Sequence, residues 1–434
     1  MKHGIRILSL LLVMMLALLA PAATLAETTA DEDQTPVTIS IMHNHSQEAA
    51  ENIVSSAGFV AMLQKFKEDH PWVTLEENIV TDSFDDKYFA LAAADELPDV
   101  CYVRYGWLAN LAGNGLLADI TDYVDPSMYV DNLYCMTYNG RIYGLPNKYS
   151  AFNLVLYNED MWKEAGYDTF PQTLDELLEA NEYFQSKGID TIAFGNSGKW
   201  FATSYLTATF AYEFCGDDFV KSMIARDGQN KWTDERFVKA LAAVQEMTPV
   251  FNKDCNMQDD IWAMGWYMQG NAAAHIVGNW GLDTARKMAE EYPDVWAHTR
   301  VALMPTVSGE NRYISTAVGG NGIGVNSKLT GEKFDMALAL CKQISSVDYA
   351  EFMAARGATA PIATTIDYSS LEQPYQDFAE IMNTYPSGLN ITDYVDQSIA
   401  TALHAAAQSL MAGDTTPEEA AQSIQMAQDM LDMQ

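Results

Sequence analysis

At 434 residues the chain is too long for one hydrophobic core, so two or three domains are expected, with 48 % hydrophobic and 11 % aromatic residues to build them. A formal net charge of −34 argues against nucleic acid and acidic membrane as partners, because both are polyanions. Cys101, Cys135, Cys215, Cys255 and Cys341 form an odd, widely spaced set without a CxxC pair, which argues against a metal site or a disulfide scaffold. One or two disulfides and buried free thiols both remain open readings.

The chain opens with Lys2, His3 and Arg6, an apolar run from Ile7 to Ala20, Pro21, and small residues at Thr24 and Ala26. This order predicts a cleavable signal peptide over 1–26; the run is shorter than the ~20 residues a membrane span needs, and a retained anchor is the plainer alternative. The first cysteine is Cys101, so the cleavage point has no thiol to carry a lipid. The mature protein is expected to be exported, periplasmic or extracellular, and not lipidated. Residues 27–36 read as an acidic, flexible tether.

Ordered structure is expected from Val37, where Val37–Met42 alternates as a strand. A helix over about 47–69 carries Ile53, Phe59, Val60, Leu63 and Phe66 on one stripe, and His70-Pro71 ends it. A strand at 73–80, a helix at about 84–94 and a short strand at 98–103 follow. Strand, helix, strand, helix, strand predicts a parallel sheet with helices on both faces. Asn139-Gly140 marks a hairpin, and Asn153–Tyr157 opens a second α/β region. Helices are predicted near 159–165, 173–187, 203–214, 234–248 and 260–268, with strands near 190–195, 272–277, 299–304 and 313–325. The final third reads as helices near 331–345, 348–356, 374–383, 394–411 and 417–431.

Catalytic signatures are missing. There is no HExxH, Gly195-Asn196-Ser197-Gly198 lacks the spacing of a nucleophile elbow, and Gly320-Asn321-Gly322-Ile323-Gly324 is neither a dinucleotide fingerprint nor a P-loop. Asp85-Asp86 and Asp259-Asp260 resemble paired glycosidase carboxylates only in the sense that, among 59 acids, some pairs must arise. The chain is therefore expected not to be an enzyme, and to need no cofactor and no metal.

Several segments point elsewhere. They are Gly115–Tyr123, Asn139–Pro146, Leu154–Gly166, Phe170–Leu177, Gln269–Trp280 and Gly413–Ala420. In this order they resemble the extracellular solute-binding proteins of carbohydrate ABC transporters, the group that includes maltose-binding protein. The resemblance runs from about residue 37 to the C-terminus. It implies an α/β, two-lobed periplasmic-binding-protein fold of type II, each lobe a mainly parallel sheet flanked by helices and joined by a hinge. By analogy lobe one holds 37–150 plus about 300–345, and lobe two 151–299 plus about 346–434. The implied function is capture of a sugar or oligosaccharide by hinge closure and delivery to an ABC-type importer. The implied partners are a small carbohydrate and the transporter's permease subunits, and the protein itself is expected to be a monomer. The alternatives are a binding protein for another solute, such as a polyamine or glycerol phosphate, and, further off, a secreted glycosidase.

Sugars present apolar C–H faces and a rim of hydroxyls, so a site needs flat aromatic rings and planar polar groups. Open α/β sheets bind ligands beyond the carboxyl ends of their strands. Trp280, with Asn279, follows the 272–277 strand and falls where the similar motif places a stacking aromatic; a core tryptophan is the competing reading. Arg104, Tyr105 and Trp107 follow the strand at 98–103, and Asn44 and His45, with His43, follow the first strand. Trp200, beside Lys199, follows the strand at 190–195. Asn321 lies in a glycine-rich strand expected near the hinge, Tyr149 near the first crossover, and Asp396 before a late helix. Trp262 and Trp266 are expected to form a packed stripe. No tight Arg/Lys cluster appears among these candidates, which disfavours a phosphorylated ligand.

Overall fold

The computed structural model describes residues 35–130, 132–318, 322–362 and 368–433. The expected signal peptide and all but the last two residues of the expected tether lie outside the described residues.

β1 (Val37–His43) begins the first sheet, with Ile39 and Ile41 buried. β2 (Val73–Ile79) runs parallel to it, with Val37 opposite Val73. β3 (Val100–Val103) pairs parallel on its other side and is buried at every position, as a strand covered on both faces must be. The helices Val54–Asp69, Gly331–Ile344 and Val347–Ala354 cover one face, packing Phe59, Leu63, Leu340 and Tyr349 on Ile39, Ile41 and Val100. Phe84–Ala93 and Tyr105–Gly113 supply Tyr88, Leu108 and Leu111 to a second core that also takes Met42, Cys101 and Val103.

The helix expected over 47–69 is two helices, Gln47–Asn52 and Val54–Asp69, broken at Ile53 (φ −127°, ψ 116°). Ile53 does not pack on its stripe; it is 53 % exposed. β4 (Thr137–Tyr138) and β5 (Arg141–Ile142) form the expected hairpin, with Asn139 and Gly140 both at positive φ.

β6 (Leu145–Pro146) returns to the first sheet, β7 (Tyr149–Ala151) leaves it, and β8 (Leu154–Asn158) enters the second. β9 (Asp190–Ala193), β10 (Ala272–Val277) and β11 (Thr299–Leu303) complete the second sheet in the order β11-β8-β10-β9. β12 (Ile314–Val318) leaves it and β13 (Gly322–Val325) completes the first sheet, β2-β1-β3-β13-β6. Of the strands expected to return to the first sheet from 299–325, β13 does so, whereas β11 stays in the second.

The two crossing strands, β7 and β12, pair with each other antiparallel, and β14 (Ser387–Leu389) adds to β12 in parallel. A strand arriving from the other half enters its sheet from the opposite end. Accordingly β13 runs antiparallel to β3, and β8 runs antiparallel to both β10 and β11.

Helix termini follow local rules. Thr173 and Glu176 form a capping box at Leu174–Lys187, and Gly188 (φ 73°) closes that helix. Thr416 and Glu419 do the same for Pro417–Asp432. Two further helices, Tyr105–Gly113 and Trp280–Met288, each nine residues long, are not among those expected from the sequence. All five cysteines are free, four of them buried.

Candidate functional site

The carboxyl ends of β1 and β3 lie side by side, because these strands are parallel neighbours. β1 delivers Asn44 and His45 there, and β3 delivers Arg104. The turn between β6 and β7 brings Asn147 and Lys148 alongside. His45 is buried, its ring stacked on Phe59 at 4.2 Å, and its Nδ1 lies 3.0 Å from Ser56 Oγ. Burial pushes its pKa down to about 3, with His43 and then Lys148 adding to the shift. Arg104 donates to Asp85 at 2.8 Å, and its guanidinium carbon stands 4.5 Å from the Trp107 ring. Trp107 in turn stacks on Tyr88 at 5.3 Å.

Several buried polar atoms in this corner have no hydrogen-bond partner among the described residues: Asn44 Oδ1, His45 Nε2, Tyr102 OH, Arg104 Nε and Asn147 Oδ1. Buried polar groups are ordinarily paired, so such a group of unpaired atoms in one corner is unusual.

The second half contributes aromatic rings from the carboxyl ends of β9 and β10. Trp280 opens the helix after β10 and stands 5.4 Å from Phe152 and 6.1 Å from Trp200. Trp200 stacks on Phe201 at 3.7 Å. Tyr205 sits 5.7 Å from Trp200 within a π-helical turn, Ala202–Thr207, a local irregularity common at functional sites. Both tryptophans remain half-buried.

A cleft of about 520 Å³ joins the halves, with Ile53, Val54 and Ser55 on one side, Trp280 and Asp283 on the other, and Asn147 to Ser150 at its base. The helix break at Ile53 is what turns that residue into the cleft wall. Burial lowers the Lys148 pKa, opposed by Asp393 and reinforced by Arg104. Burial pushes Asp393 up to about 6, with Lys148 opposing. A second groove, of about 1260 Å³, lies between the helix Tyr105–Gly113 and the segment 392–397, with Trp107 and Asp396 on its walls.

Other nominated residues also serve the fold, and Asn279 lines the cleft as well. Asn279 Oδ1 accepts from Ala151 N at 3.2 Å, and its Nδ2 donates to Thr359 Oγ1 at 2.6 Å, tying β10 to the crossing strand β7. Tyr149 borders the cleft but is buried, its hydroxyl 3.7 Å from Met382 Sδ. Asp396 caps the helix Gln397–Ala412 through Ser398 N at 2.8 Å. Asn321 and the side chain of Tyr105 lie outside the described residues. Trp262 and Trp266 stack on each other at 5.2 Å, as the stripe predicts.

Residues 50–329 match the family model described as bacterial extracellular solute-binding protein. The chain belongs to that family. This solute-binding protein is 24 % identical to an uncharacterized ABC transporter extracellular-binding protein of Pyrococcus horikoshii, over 51 % of this chain and 52 % of that one. It is 27 % identical to the maltodextrin-binding protein MdxE of Bacillus subtilis, over 55 % and 54 % of the two chains. It thus matches about half the length of these curated relatives. Among solved structures it is similar to a chitin oligosaccharide binding protein, with a TM-score of 0.74 at 20 % identity, covering 91 % of this chain and 98 % of that one. A family 1 extracellular solute-binding protein from Bifidobacterium longum subsp. infantis gives 0.73 at 17 % identity, covering 92 % and 100 %. At such identities the shared property is the fold, the two-lobed type II architecture expected from the sequence. Members of the family bind solutes outside the cytoplasm, and no helix among the described residues is long and apolar enough to cross a membrane.

Sequence reasoning missed Lys148 and Asp393. Lys148 stands two residues after the matched segment ending at Pro146, which was a usable signal. Asp393 has none: it belongs to the one-turn helix Ile391–Tyr394, and only tertiary packing brings it toward Lys148.

Proposed function

We propose that this solute-binding protein captures a sugar or oligosaccharide in the cleft and delivers it to an ABC-type importer, working as a monomer in the periplasm or at the cell surface. The observation that carries this reading is the pairing of chemistries around one cleft. A half-buried Trp280 backed by Trp200 shares it with Asn147 and Lys148, next to the partnerless atoms of Asn44, His45, Tyr102 and Arg104. Rings stack on the C–H face of a pyranose, and unpaired donors and acceptors meet its hydroxyls. The names of the maltodextrin-binding and chitin-oligosaccharide-binding relatives agree with a carbohydrate ligand.

We assign the residues of the first sheet and its helices, 37–147 and 322–362, to one lobe. The second lobe comprises 152–303 and 368–433, with β7 and β12 as the hinge. A ligand touching both lobes makes more contacts when they close, and so shifts the population toward the closed form that the permease subunits recognise. Calorimetry and tryptophan fluorescence against a panel of oligosaccharides, with small-angle scattering to follow compaction, test the proposal. Saturable binding with a smaller radius of gyration is expected. No sugar binding, alongside tight binding of another solute, overturns it.

Asp283, which lines the cleft with Trp280, and Asp393, which interacts with Lys148, favour, as a second reading, a cationic solute such as a polyamine. Spermidine in the same panel separates the two.

A further inference from the structure

The second lobe holds a carboxylate that the fold leaves unused. Asp259 caps the helix Asp260–Met268 by accepting from Trp262 N at 2.8 Å, so capping makes no demand on Asp260. The Asp260 side chain is 21 % exposed, and no lysine or arginine among the described residues lies within ion-pair distance of it. His275, fully buried on β10, stands behind it with Nε2 3.7 Å from Asp260 Oδ1. His275 Nδ1 lies 2.9 Å from the Ala193 carbonyl oxygen. A carbonyl can only accept, so Nδ1 carries the proton and Nε2 presents a bare lone pair. That lone pair has no hydrogen-bond partner among the described residues. Burial pushes the imidazole pKa down to about 4, which keeps it neutral near neutral pH.

The carboxyl therefore faces a buried acceptor, with Asp259 beside it on its own helix and the Tyr205 phenol nearby from the next. Burial, and secondly Asp259, push the Asp260 pKa up to about 7. A poorly solvated acid without a donor destabilises a fold. Its surroundings are nonetheless built. A Cβ on Gly195 would stand 2.1 Å from Asp259 O and 2.7 Å from Asp260 N, so the loop leaving β9 lies directly on this helix start. The same loop delivers Trp200, and Tyr205, whose phenol feels the Asp260 charge, has its ring 5.7 Å from Trp200 and 6.5 Å from Trp280.

We propose that Asp260 is a ligand-binding residue, accepting hydrogen bonds from hydroxyls of a sugar ring stacked on Trp200 and Trp280, with His275 as the positioning residue behind it. The inference rests on the carbohydrate reading above. It explains why the acid is kept: the ligand supplies the donors that the protein lacks.

The test measures, on the full exported chain, affinity for the best oligosaccharide of the panel and the thermal midpoint at pH 8. Asp260→Asn is expected to weaken binding on the order of 10- to 100-fold, the loss that follows removal of a charged acceptor. The same variant is expected to melt at a higher temperature, because a neutral amide is easier to bury. Wild-type affinity rises from pH 6 to pH 8 as the carboxylate forms, whereas Asp260→Asn loses most of that rise and keeps only what Asp393, raised to about 6 by burial beside Lys148, contributes near pH 6. His275→Gln keeps a pH dependence with a displaced midpoint. An Asp260→Asn protein that binds as tightly as the wild type, or that melts lower or fails to fold, overturns this inference and leaves the carbohydrate reading standing. A wild-type chain that binds no sugar overturns both.

Discussion

The rings of Trp200 and Trp280 stand 6.1 Å apart at an interplanar angle of 44°, although one follows β9 and the other follows β10. The parallel register of those strands, Ala193 opposite His275, accounts for it, since both chains leave at the same end of the sheet, β10 two residues further on. The Trp280 ring also lies over Gly278, where an added Cβ would come within 2.1 Å of its Cζ3. Replacing either tryptophan by alanine is expected to weaken sugar binding about 10- to 100-fold, as losing a buried aromatic anchor does. Gly278→Ala, which keeps the ring but displaces it, is expected to fall between those variants and the wild type. Calorimetric titration of the three variants checks the order.

Gly195 has no room for a side chain, since the backbone of Asp259 and Asp260 occupies the place of its Cβ. Backbone cannot rotate away as a side-chain tip does, so Gly195→Ala must shift the helix start. A loss of about 1–3 kcal/mol in stability is expected, the usual cost of overpacking, together with weaker ligand binding. Urea unfolding and calorimetry report the two effects separately.

Asn279 bridges β7 and Thr359 through both ends of its amide. Asn279→Ala leaves the buried Ala151 N–H without that acceptor and is expected to cost about 1–3 kcal/mol. Because β7 is one of the two crossing strands, the variant is also expected to alter the compaction seen on ligand addition. Asn279→Asp, which keeps the acceptor and loses the donor, separates the two bonds.

Acid stability should reflect opposed groups. Burial depresses His45 to about 3 and His275 to about 4, so below pH 6.5 the unfolded chain binds protons that the folded chain refuses. Each histidine then removes up to about 1.4 kcal/mol per pH unit as the pH falls toward its folded value. Asp260, raised to about 7, and Asp393, raised to about 6, act oppositely: the folded state takes up their protons first and gains stability as the pH falls toward 4. Their near balance predicts a shallow profile between pH 6 and pH 4. His45→Gln is expected to fare better relative to wild type at pH 4 than at pH 8. Asp260→Asn should lose at pH 4 the advantage it has at pH 8. Urea midpoints across that range provide the measurement.

The order of elements was legible because periodicity is local. Ile39 and Ile41 alternate, the stripe of Phe59, Leu63 and Phe66 repeats at helical spacing, and Thr173 with Glu176 declares a helix start, whatever lies elsewhere in the chain. The position of Trp200 and Trp280 just beyond strand ends was equally local, and both stand at one end of the second sheet.

Which polar groups are spent and which remain free is a different kind of property. Asn279 and Trp280 are adjacent and both line the cleft, yet one amide is consumed by Ala151 and Thr359 while its neighbour's ring has only ring contacts among the described residues. Asp259 and Asp260 are adjacent too, and one caps a helix while the other faces a bare histidine nitrogen. A hydrogen-bond partner is chosen by whichever distant strand or helix packs alongside, and residue spacing along the chain carries no record of it. The break at Ile53, the antiparallel meeting of β7 with β12, and the approach of Lys148 to Asp393 belong to the same class. Local patterns set the family, the α/β order and the aromatic candidates, and long-range packing set the hinge and the polar lining of the cleft.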